Sequence, residues 1–356
     1  MVALDDVVDV DVHPLLDPER MPEFLPEPHR GRYLGGNRGP AHIGYWNPNG
    51  VRRRDAIMPD GREAANDPAA LGERLLDAHG IRACVLNLDY AFFILSPDLD
   101  FAAAMSSAAN DVLVHDWLDR DPRFHASVVV APTDPALAAK EIRRVGDHPG
   151  FVQVLLPSGA RMPYGNRFYH PIYEAAAETG LPLGIHTGFE GVGITGAPTA
   201  SGYPTSYLEW HTGLFSNYVT HLISLVSEGV FQRFPNLRLV MIEGGVSWLP
   251  ALMWRFDKNW KALRRLAPWL DRPPSEVIER HVSLTTQPLE EPERSAHLHQ
   301  VLGMFDAARM LLFSSDFPHW DGDMPDFSAA ALPPAMRRAV MSENARRLYR
   351  LRVPAA

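Results

Sequence analysis

The stretch FHASVVVAPTDPALAAKEIRRVGDHPGFVQVLLPSGARMPYGNRFYHPIYEAAAETGLPLGIH, residues 124–186, decides the fold. It contains three short apolar runs separated by two amphipathic segments of helical length. The runs predict strands at 124–130, 151–156 and 181–186, and the segments between them predict helices at 135–145 and 167–179. Apolar strands that alternate with helices are typical of βαβ units with buried parallel strands.

The same alternation extends outward from this stretch in both directions. It predicts further strands at 7–12, 81–88, 237–242, 282–285 and 310–314. It predicts further helices at 68–80, 99–120, 205–229, within 246–281, at 290–303 and within 332–350. Eight such units favour an α/β fold with a closed (β/α)8 TIM barrel, since an open doubly wound sheet usually has fewer strands. We predict one domain over residues 1–356, with a long insertion at 14–68 after the first strand that rises over the barrel mouth.

Composition restricts the class of protein. Hydrophobic residues make up 46% of the 356 residues and the net charge is −9, which argues for a large core and against a nucleic-acid partner. No apolar run approaches the length of a membrane span. Cys84 is the only cysteine, so an internal disulfide is excluded and a reducing cytoplasm is expected. The predicted helices 205–229 and 246–265 offer surfaces for a homodimer.

Polar side chains stand at three predicted strand ends. Asp11 and His13 end the first strand, His186 ends the fifth and Asp316 follows the eighth. Barrel enzymes place their chemistry at the C-terminal ends of the strands, so these four side chains are predicted to meet there. Two carboxylates and two imidazoles suit one divalent ion, Zn²⁺ or Mn²⁺, which lowers the pKa of a bound water.

Five motifs are similar to those of one family. They are DVDVHP (9–14), PLGIHTG (182–188), GVFQRFPNLRLVMIEGG (229–245), LLFSSDFPHWDG (311–322) and SENARRLYRL (342–351). Together they resemble the amidohydrolase-related family, which includes aminocarboxymuconate-semialdehyde decarboxylase and the non-oxidative aromatic-acid decarboxylases. The resemblance implies that Asp11, His13 and His186 are metal ligands. It implies that Asp316 is both a ligand and a catalytic residue that orients or deprotonates the metal-bound water.

The sequence departs from this family at the sixth strand. Many members have a histidine there that acts in acid–base chemistry, whereas this chain has Glu243. A buried glutamate can still transfer protons if its pKa rises toward the operating pH. The alternatives are that Glu243 pairs with an arginine or caps the helix predicted at 246–265. A displaced base from His211 or His221 is a further alternative.

Other side chains are candidates around the mouth. His319 is a candidate catalytic residue or substrate contact, and Asp9 is predicted to hydrogen-bond His13. The candidate substrate-binding residues are Arg52, which would clamp a carboxylate, together with Trp46 and His211. A further set of aromatic residues either lines an aromatic pocket or packs in the core: Tyr45, Trp46, Tyr90, Phe92 and Phe93.

Three functions remain open at this point. The first is a metal-dependent hydrolase that uses activated water on an amide, lactone or related acyl carbon of a small-molecule or peptide-derived substrate. The alternative is a metal-dependent non-oxidative decarboxylase of an aromatic or enoic acid. The third is a metal-bearing barrel that serves as a non-catalytic scaffold.

Overall fold

The strands form a single parallel sheet in the order in which they occur in the sequence. The computed structural model describes residues 6–42, 44–48, 50–89 and 91–351. Within them, eight strands are hydrogen-bonded in the order β1 to β8. They are β1 (Val7–Val12), β2 (Ile81–Leu86), β3 (Phe124–Val129), β4 (Phe151–Pro157), β5 (Leu183–His186), β6 (Leu239–Ile242), β7 (Val282–Thr285) and β8 (Leu311–Leu312).

Helices connect the strands and cover the outside of the sheet. The α-helices are α1 (Met21–Phe24), α2 (His29–Leu34), α3 (Pro68–Leu71), α4 (Leu99–Leu113), α5 (Pro135–Val145), α6 (His170–Thr179), α7 (Tyr207–Gly213), α8 (Phe215–Ser227), α9 (Val230–Arg233), α10 (Trp248–Leu263), α11 (Pro274–His281), α12 (Ser295–Leu302), α13 (Ala307–Met310), α14 (Pro325–Ala331) and α15 (Asn344–Tyr349). Short 3₁₀ segments are Arg54–Ala56, Ala64–Asn66, Phe92–Leu95, Arg167–Tyr169, Arg264–Leu266 and Pro334–Met336, and π-helical turns are Gly72–Asp77, Val114–Leu118 and Ala339–Glu343. The predicted (β/α)8 barrel is confirmed.

Backbone hydrogen bonds between the first and last strand regions close the ring. Val10 N–H donates to Phe313 O at 3.0 Å, Asp316 N–H to Asp11 O at 3.0 Å, and His13 N–H to Phe317 O at 2.8 Å. The last two of these bonds involve three of the predicted ligands. Closure of the barrel therefore places the ends of β1 and β8 side by side.

An apolar cluster fills the centre of the barrel. It takes residues from β1, β2, β4, β6 and β8, among them Val8, Val85 and Val240, and is completed by Ala345 and Tyr349 of α15. Strands that are not neighbours in the sheet can touch only across the barrel axis, so this cluster must lie inside. With the centre of the barrel filled by apolar side chains, the C-terminal ends of the strands remain for the polar side chains.

Several predicted boundaries were wrong. The helix predicted at 205–229 is divided into α7 and α8 after Gly213. The helices predicted within 246–281 are present as α10 and α11. The eighth strand has two residues in place of five, since its ladder with β7 ends at the pair Thr285 and Leu312. Within the described residues, none of the helices combines the length and apolar composition needed to cross a bilayer.

Candidate metal centre

Five buried side chains converge where the strands end. Asp11 and His13 lie at the end of β1, His186 ends β5, Glu243 follows β6 and Asp316 lies beyond β8. Each offers a ligand atom, and these atoms lie within 4.8 Å of one another. The structure thus brings together the four predicted ligands and adds Glu243 to them.

The two histidines are held in the same orientation. His13 Nδ1 lies 2.9 Å from Asn87 O, and His186 Nδ1 lies 2.9 Å from Thr187 O. A carbonyl can only accept, so each Nδ1 carries a proton and each Nε2 faces the carboxylates. His13 Nε2 lies 2.8 Å from Asp316 Oδ1, and His186 Nε2 lies 3.3 Å from Glu243 Oε2. An Nδ1–H bound to a backbone carbonyl with Nε2 directed inward is the usual arrangement of a metal-ligating histidine.

Three atoms in the cluster lack hydrogen-bond partners. Asp11 Oδ2, His186 Nε2 and Asp316 Oδ2 are fully buried and accept or donate no hydrogen bond among the described residues. Buried polar atoms are normally satisfied, and three orphaned ligand atoms in one place require compensation. A divalent cation would satisfy all three, and the mixed nitrogen and oxygen donors fit Zn²⁺ or Mn²⁺.

The pKa values in the cluster follow from burial and from neighbouring charges. Burial and the nearby Asp316 carboxylate raise the pKa of Glu243 well above its ordinary value. Burial alone would lower the pKa of His186, but the Asp11 carboxylate raises it to about 9. Burial alone would raise the pKa of Asp316, but His319 and His13 hold it below its usual range. A cation bound among these carboxylates would stabilise their ionised forms.

Two members of the cluster have unusual backbone conformations. Glu243 has φ 60° and Asp316 has φ 58°, and both are therefore in the left-handed region, which favours glycine. A non-glycine residue in this region is strained and persists only where the surroundings enforce it. Glu243 N–H is fixed by Thr285 Oγ1 at 2.9 Å and Asp316 N–H by Asp11 O. The strained backbone at Glu243 and Asp316 lowers the stability of the fold but directs both side chains into the cluster.

Sequence reasoning missed Asn87, which follows β2. Its Nδ2 donates to Asp11 Oδ1 at 2.8 Å, and its backbone carbonyl accepts from His13. The sequence does contain a signal for Asn87, because it is a polar amide residue directly after the C-terminal end of a strand. The predicted bond from Asp9 to His13 was wrong, because the two ring nitrogens of His13 face Asn87 O and Asp316 Oδ1. Asp9 Oδ1 instead accepts from Ser315 N–H at 2.9 Å.

His319 joins the cluster to a second carboxylate. Its Nδ1 lies 2.7 Å from Asp316 Oδ1 and its Nε2 lies 3.2 Å from Asp89 Oδ2. Although burial opposes it, the Asp316 and Asp89 carboxylates raise the pKa of His319 to about 10. Behind Asp89, Arg52 lies 3.8 Å away and forms a 3.0 Å hydrogen bond with Glu63. Arg52, which was predicted to bind a substrate carboxylate, thus contacts Asp89 and Glu63 of the protein instead. It is not among the residues that line the cavity next to the cluster.

A cavity of about 200 Å³ opens onto the cluster at His186, Glu243 and His319. Its aromatic walls are Tyr45, Phe92, Phe189, Tyr207, Trp210 and Trp320. His211, a candidate substrate-binding residue, also lines it, with Nε2 3.4 Å from Asp321 Oδ2. A neighbouring cavity of about 330 Å³ shares His211 and Glu243 with it. The insertion contributes His42, Tyr45 and Val51 to the wall.

Two of the candidate aromatic residues do not line this cavity. Trp46 is 80% exposed and lines neither cavity, and Phe93 packs in the core, the alternative stated for it above. Tyr45 takes the place expected of Trp46, because its ring stacks on Trp210 at 5.8 Å and its hydroxyl donates to Pro204 O. Tyr90 lies outside the described residues.

Comparison with known proteins agrees with this geometry. The family model described as amidohydrolase matches residues 8–351. The chain belongs to this family. The matched range includes the five clustered side chains, so the amidohydrolase fold and its candidate metal centre coincide in this chain.

Three known proteins are similar to this chain in sequence or in fold. The gamma-resorcylate decarboxylase of Rhizobium sp. (strain MTP-10005) is 26% identical over 302 residues, which cover 78% of this chain and 86% of the relative. An amidohydrolase structure from Mycobacterium avium subsp. paratuberculosis has a TM-score of 0.73 at 20% identity and covers 96% of this chain and 98% of its own. A dihydroxybenzoic acid decarboxylase from Polaromonas sp., with bound manganese and 2-nitroresorcinol, has a TM-score of 0.66 at 20% identity and covers 97% of both chains.

These matches change the order of the predicted functions. The chain is an enzyme of the amidohydrolase superfamily, so the scaffold alternative loses its support. The similar curated proteins are decarboxylases, which favours the decarboxylase alternative over the hydrolase that was placed first. The predicted divalent metal has a counterpart in the manganese bound by similar structures. The homodimer stays a prediction.

The alternatives for Glu243 and His221 find no support in the amidohydrolase structure. His221 is buried, with Nε2 2.8 Å from Ser158 O and Nδ1 accepting from Tyr164 N–H, and burial lowers its pKa to about 4. Its role is therefore structural. The start of α10 is capped by Glu290 and not by Glu243, since Glu290 Oε1 accepts from the N–H groups of Val246 and Ser247 at 3.0 and 2.8 Å.

Removing the Glu290 carboxylate is expected to destabilise the amidohydrolase. Glu290→Ala leaves two backbone N–H groups and the Ser247 hydroxyl without their acceptor at a helix start. We expect the free energy of unfolding to fall by about 1–2 kcal/mol, measured by urea denaturation. The exposed neighbour Glu291 provides the control, and Glu291→Ala is expected to have little effect. Equal stability of the two variants would contradict the capping role.

Proposed function

We propose that the chain is a metal-dependent non-oxidative decarboxylase that acts on a small aromatic acid. The observation that carries the proposal is the aromatic-lined cavity that opens directly onto the buried cluster. Decarboxylases among the relatives, matched over most of both chains, support the reaction type. Hydrolysis of an acyl carbon is the competing outcome, and the experiment below separates the two.

The cavity walls are suited to a planar ring. Phe92 and Phe189 lie with ring centroids 5.2 Å apart, and Tyr207 lies 5.2 Å from His211. Aromatic faces at such spacings bind flat apolar bodies and exclude water. Among the described residues, no lysine or arginine lines this cavity. The acidic end of a substrate would therefore be directed to the cluster, while the ring occupies the aromatic part.

Four residues of the cluster are proposed to bind the metal. Asp11, His13, His186 and Asp316 would hold the metal, with Asn87 fixing both Asp11 and His13. When bound, the divalent ion supplies positive charge that attracts an anionic substrate and stabilises the charge developing on its oxygen atoms.

Glu243 is the group placed to move a proton. Its carboxyl lines the cavity and lies 3.3 Å from His186 Nε2, so it faces the cluster on one side and the substrate on the other. In the proposed reaction Glu243 donates a proton to the ring carbon that bears the carboxylate. The carbon–carbon bond then breaks, its electron pair restores the aromatic ring, and carbon dioxide leaves. Solvent returns the proton to Glu243, and no water is consumed.

The reaction type is tested by isotopes. The manganese- or zinc-loaded protein is incubated in D₂O with hydroxybenzoic acids such as 2,6-dihydroxybenzoate, and in parallel with aryl amides and lactones in H₂¹⁸O. We expect carbon dioxide release and one deuteron at the vacated ring carbon. Incorporation of ¹⁸O into a carboxylate product without carbon dioxide would overturn the proposal and restore the hydrolase.

A further inference from the structure

A third and larger cavity lies at the other end of the barrel. Its volume is about 630 Å³, and its walls come from segments that precede or open the strands. Leu181 and Pro182 precede β5, Leu237 and Arg238 precede β6, and Arg309 lies shortly before β8. The proposed metal ligands lie at the opposite, C-terminal ends of the strands. The two sites are therefore separated by the length of the barrel.

The walls of this cavity are strongly positive. Five arginines line it, which are Arg238, Arg280, Arg309, Arg347 and Arg350. His281 is also present, and no aspartate or glutamate is found among the described lining residues. This concentration is notable in a chain whose net charge is −9. We call this feature the arginine cavity.

Few of these charges are neutralised by the protein. Arg309 Nε lies 2.6 Å from Asp306 Oδ2. Within the part of the chain that the structure describes, the other four arginines have no carboxylate within 4.0 Å. Arg238 Nη1 is fixed by backbone carbonyls, Leu237 O at 3.0 Å and Pro235 O at 3.3 Å. Arg347 Nη2 donates to Asn344 Oδ1 at 2.6 Å. The arginine cavity thus contains five guanidinium groups with one carboxylate partner, Asp306, among the described residues.

The arginines lie close enough to affect one another. Burial lowers the pKa of Arg238, and the neighbouring charges of Arg280 and Arg309 lower it further. Burial lowers the pKa of His281 as well, with contributions from Arg238 and Arg280. Positive charge that accumulates in a concave site raises the local concentration of anions. An anion in the arginine cavity would relieve the repulsion among these groups.

We propose that the arginine cavity binds a small anion that carries more than one phosphate group. Guanidinium groups bind phosphate oxygens through paired, charge-assisted hydrogen bonds, and several converging arginines favour several phosphates over one. The volume lies within the range of small-molecule sites and exceeds that needed by a single phosphate. Such a site is independent of the proposed decarboxylase activity and would give the enzyme a ligand at the face remote from its substrate.

The test is calorimetric titration of the metal-loaded protein with orthophosphate, pyrophosphate and ADP at constant ionic strength. We expect pyrophosphate to bind more tightly than orthophosphate, and ADP shows whether the diphosphate is accepted as part of a nucleotide. The double variant Arg280→Gln/Arg347→Gln is expected to weaken pyrophosphate binding by roughly tenfold or more. The control is Arg264→Gln/Arg265→Gln, which removes two exposed charges outside the cavity and should leave binding unchanged.

The control pair also excludes two trivial explanations. Pyrophosphate that merely removed the metal, or that responded to total charge, would affect both double variants equally. Equal weakening in the two variants would therefore overturn the proposal. Absence of binding by the wild type, or equal affinity for orthophosphate and pyrophosphate, would overturn it as well. Thermal unfolding of the unliganded variants confirms that both are folded.

Discussion

Replacing Asp316 with asparagine is expected to abolish metal binding and activity together. Asp316 Oδ1 contacts both His13 and His319, and its Oδ2 is an orphaned buried atom directed into the cluster. Loss of a partner that only orients a ligand typically costs about 10–100-fold in metal affinity, so loss of a ligand is expected to cost roughly 100-fold or more. Asparagine matches aspartate in size and tolerates the left-handed backbone at this position.

The measurement is metal content by mass spectrometry after loading with manganese or zinc. Wild type is expected to retain about one ion per chain, consistent with a single cluster, and Asp316→Asn close to none. Asp326→Asn, an exposed aspartate ten positions later, serves as the control and should retain the metal. Circular dichroism establishes that both variants are folded. A folded Asp316→Asn protein with full metal content would remove Asp316 from the ligand set.

Replacing Glu243 with glutamine is expected to reduce kcat by about 10²–10⁴-fold, the range typical of a lost general acid or base. Glutamine preserves the size of the side chain but cannot deliver a proton. If Glu243 acts on the substrate side of the cluster, the variant should retain most of its metal. Inactivity with a full metal site is thus the expected signature of a proton donor.

Two further variants sharpen this experiment. Glu243→His introduces the residue that many family members have at this position, and histidine tolerates the left-handed region; partial activity with an altered pH profile is expected. Glu190→Gln is the control, since Glu190 is also a buried glutamate, but its hydrogen bonds among the described residues go to Ser158 and Asn217 and not to the clustered side chains. Loss of metal in Glu243→Gln would show that Glu243 is a ligand, contrary to the proton-donor role.

The sequence predicts the position of the cluster well for a physical reason. Parallel strands in a barrel bring their C-terminal ends to one face, so Asp11, His186 and Asp316 must meet if each ends its strand. That argument requires only the order of the strands and the two-residue alternation of β1. It does not require any knowledge of the loops.

The loop contributions could not be predicted in the same way. Side-chain direction in irregular segments has no periodicity, so Tyr45 and Trp46 could not be distinguished, and the structure selects Tyr45. Arg52 of the insertion contacts Asp89, which follows β2. This contact could not be predicted, because no local sequence pattern indicates which residues of distant segments meet. The left-handed backbone of Glu243 is likewise set by tertiary contacts, and a sequence pattern does not reveal it.

The closure of the barrel between β1 and β8 also bears on how the enzyme matures. His13 and Asp316 are in contact at 2.8 Å although 303 positions separate them in the chain. During synthesis on the ribosome, Asp11 and His13 emerge first, and Asp316 emerges only when nearly all of the chain has been made. Metal uptake at the proposed centre is therefore expected late in biogenesis, because a product that terminates before β8 would carry the other clustered residues but lack Asp316.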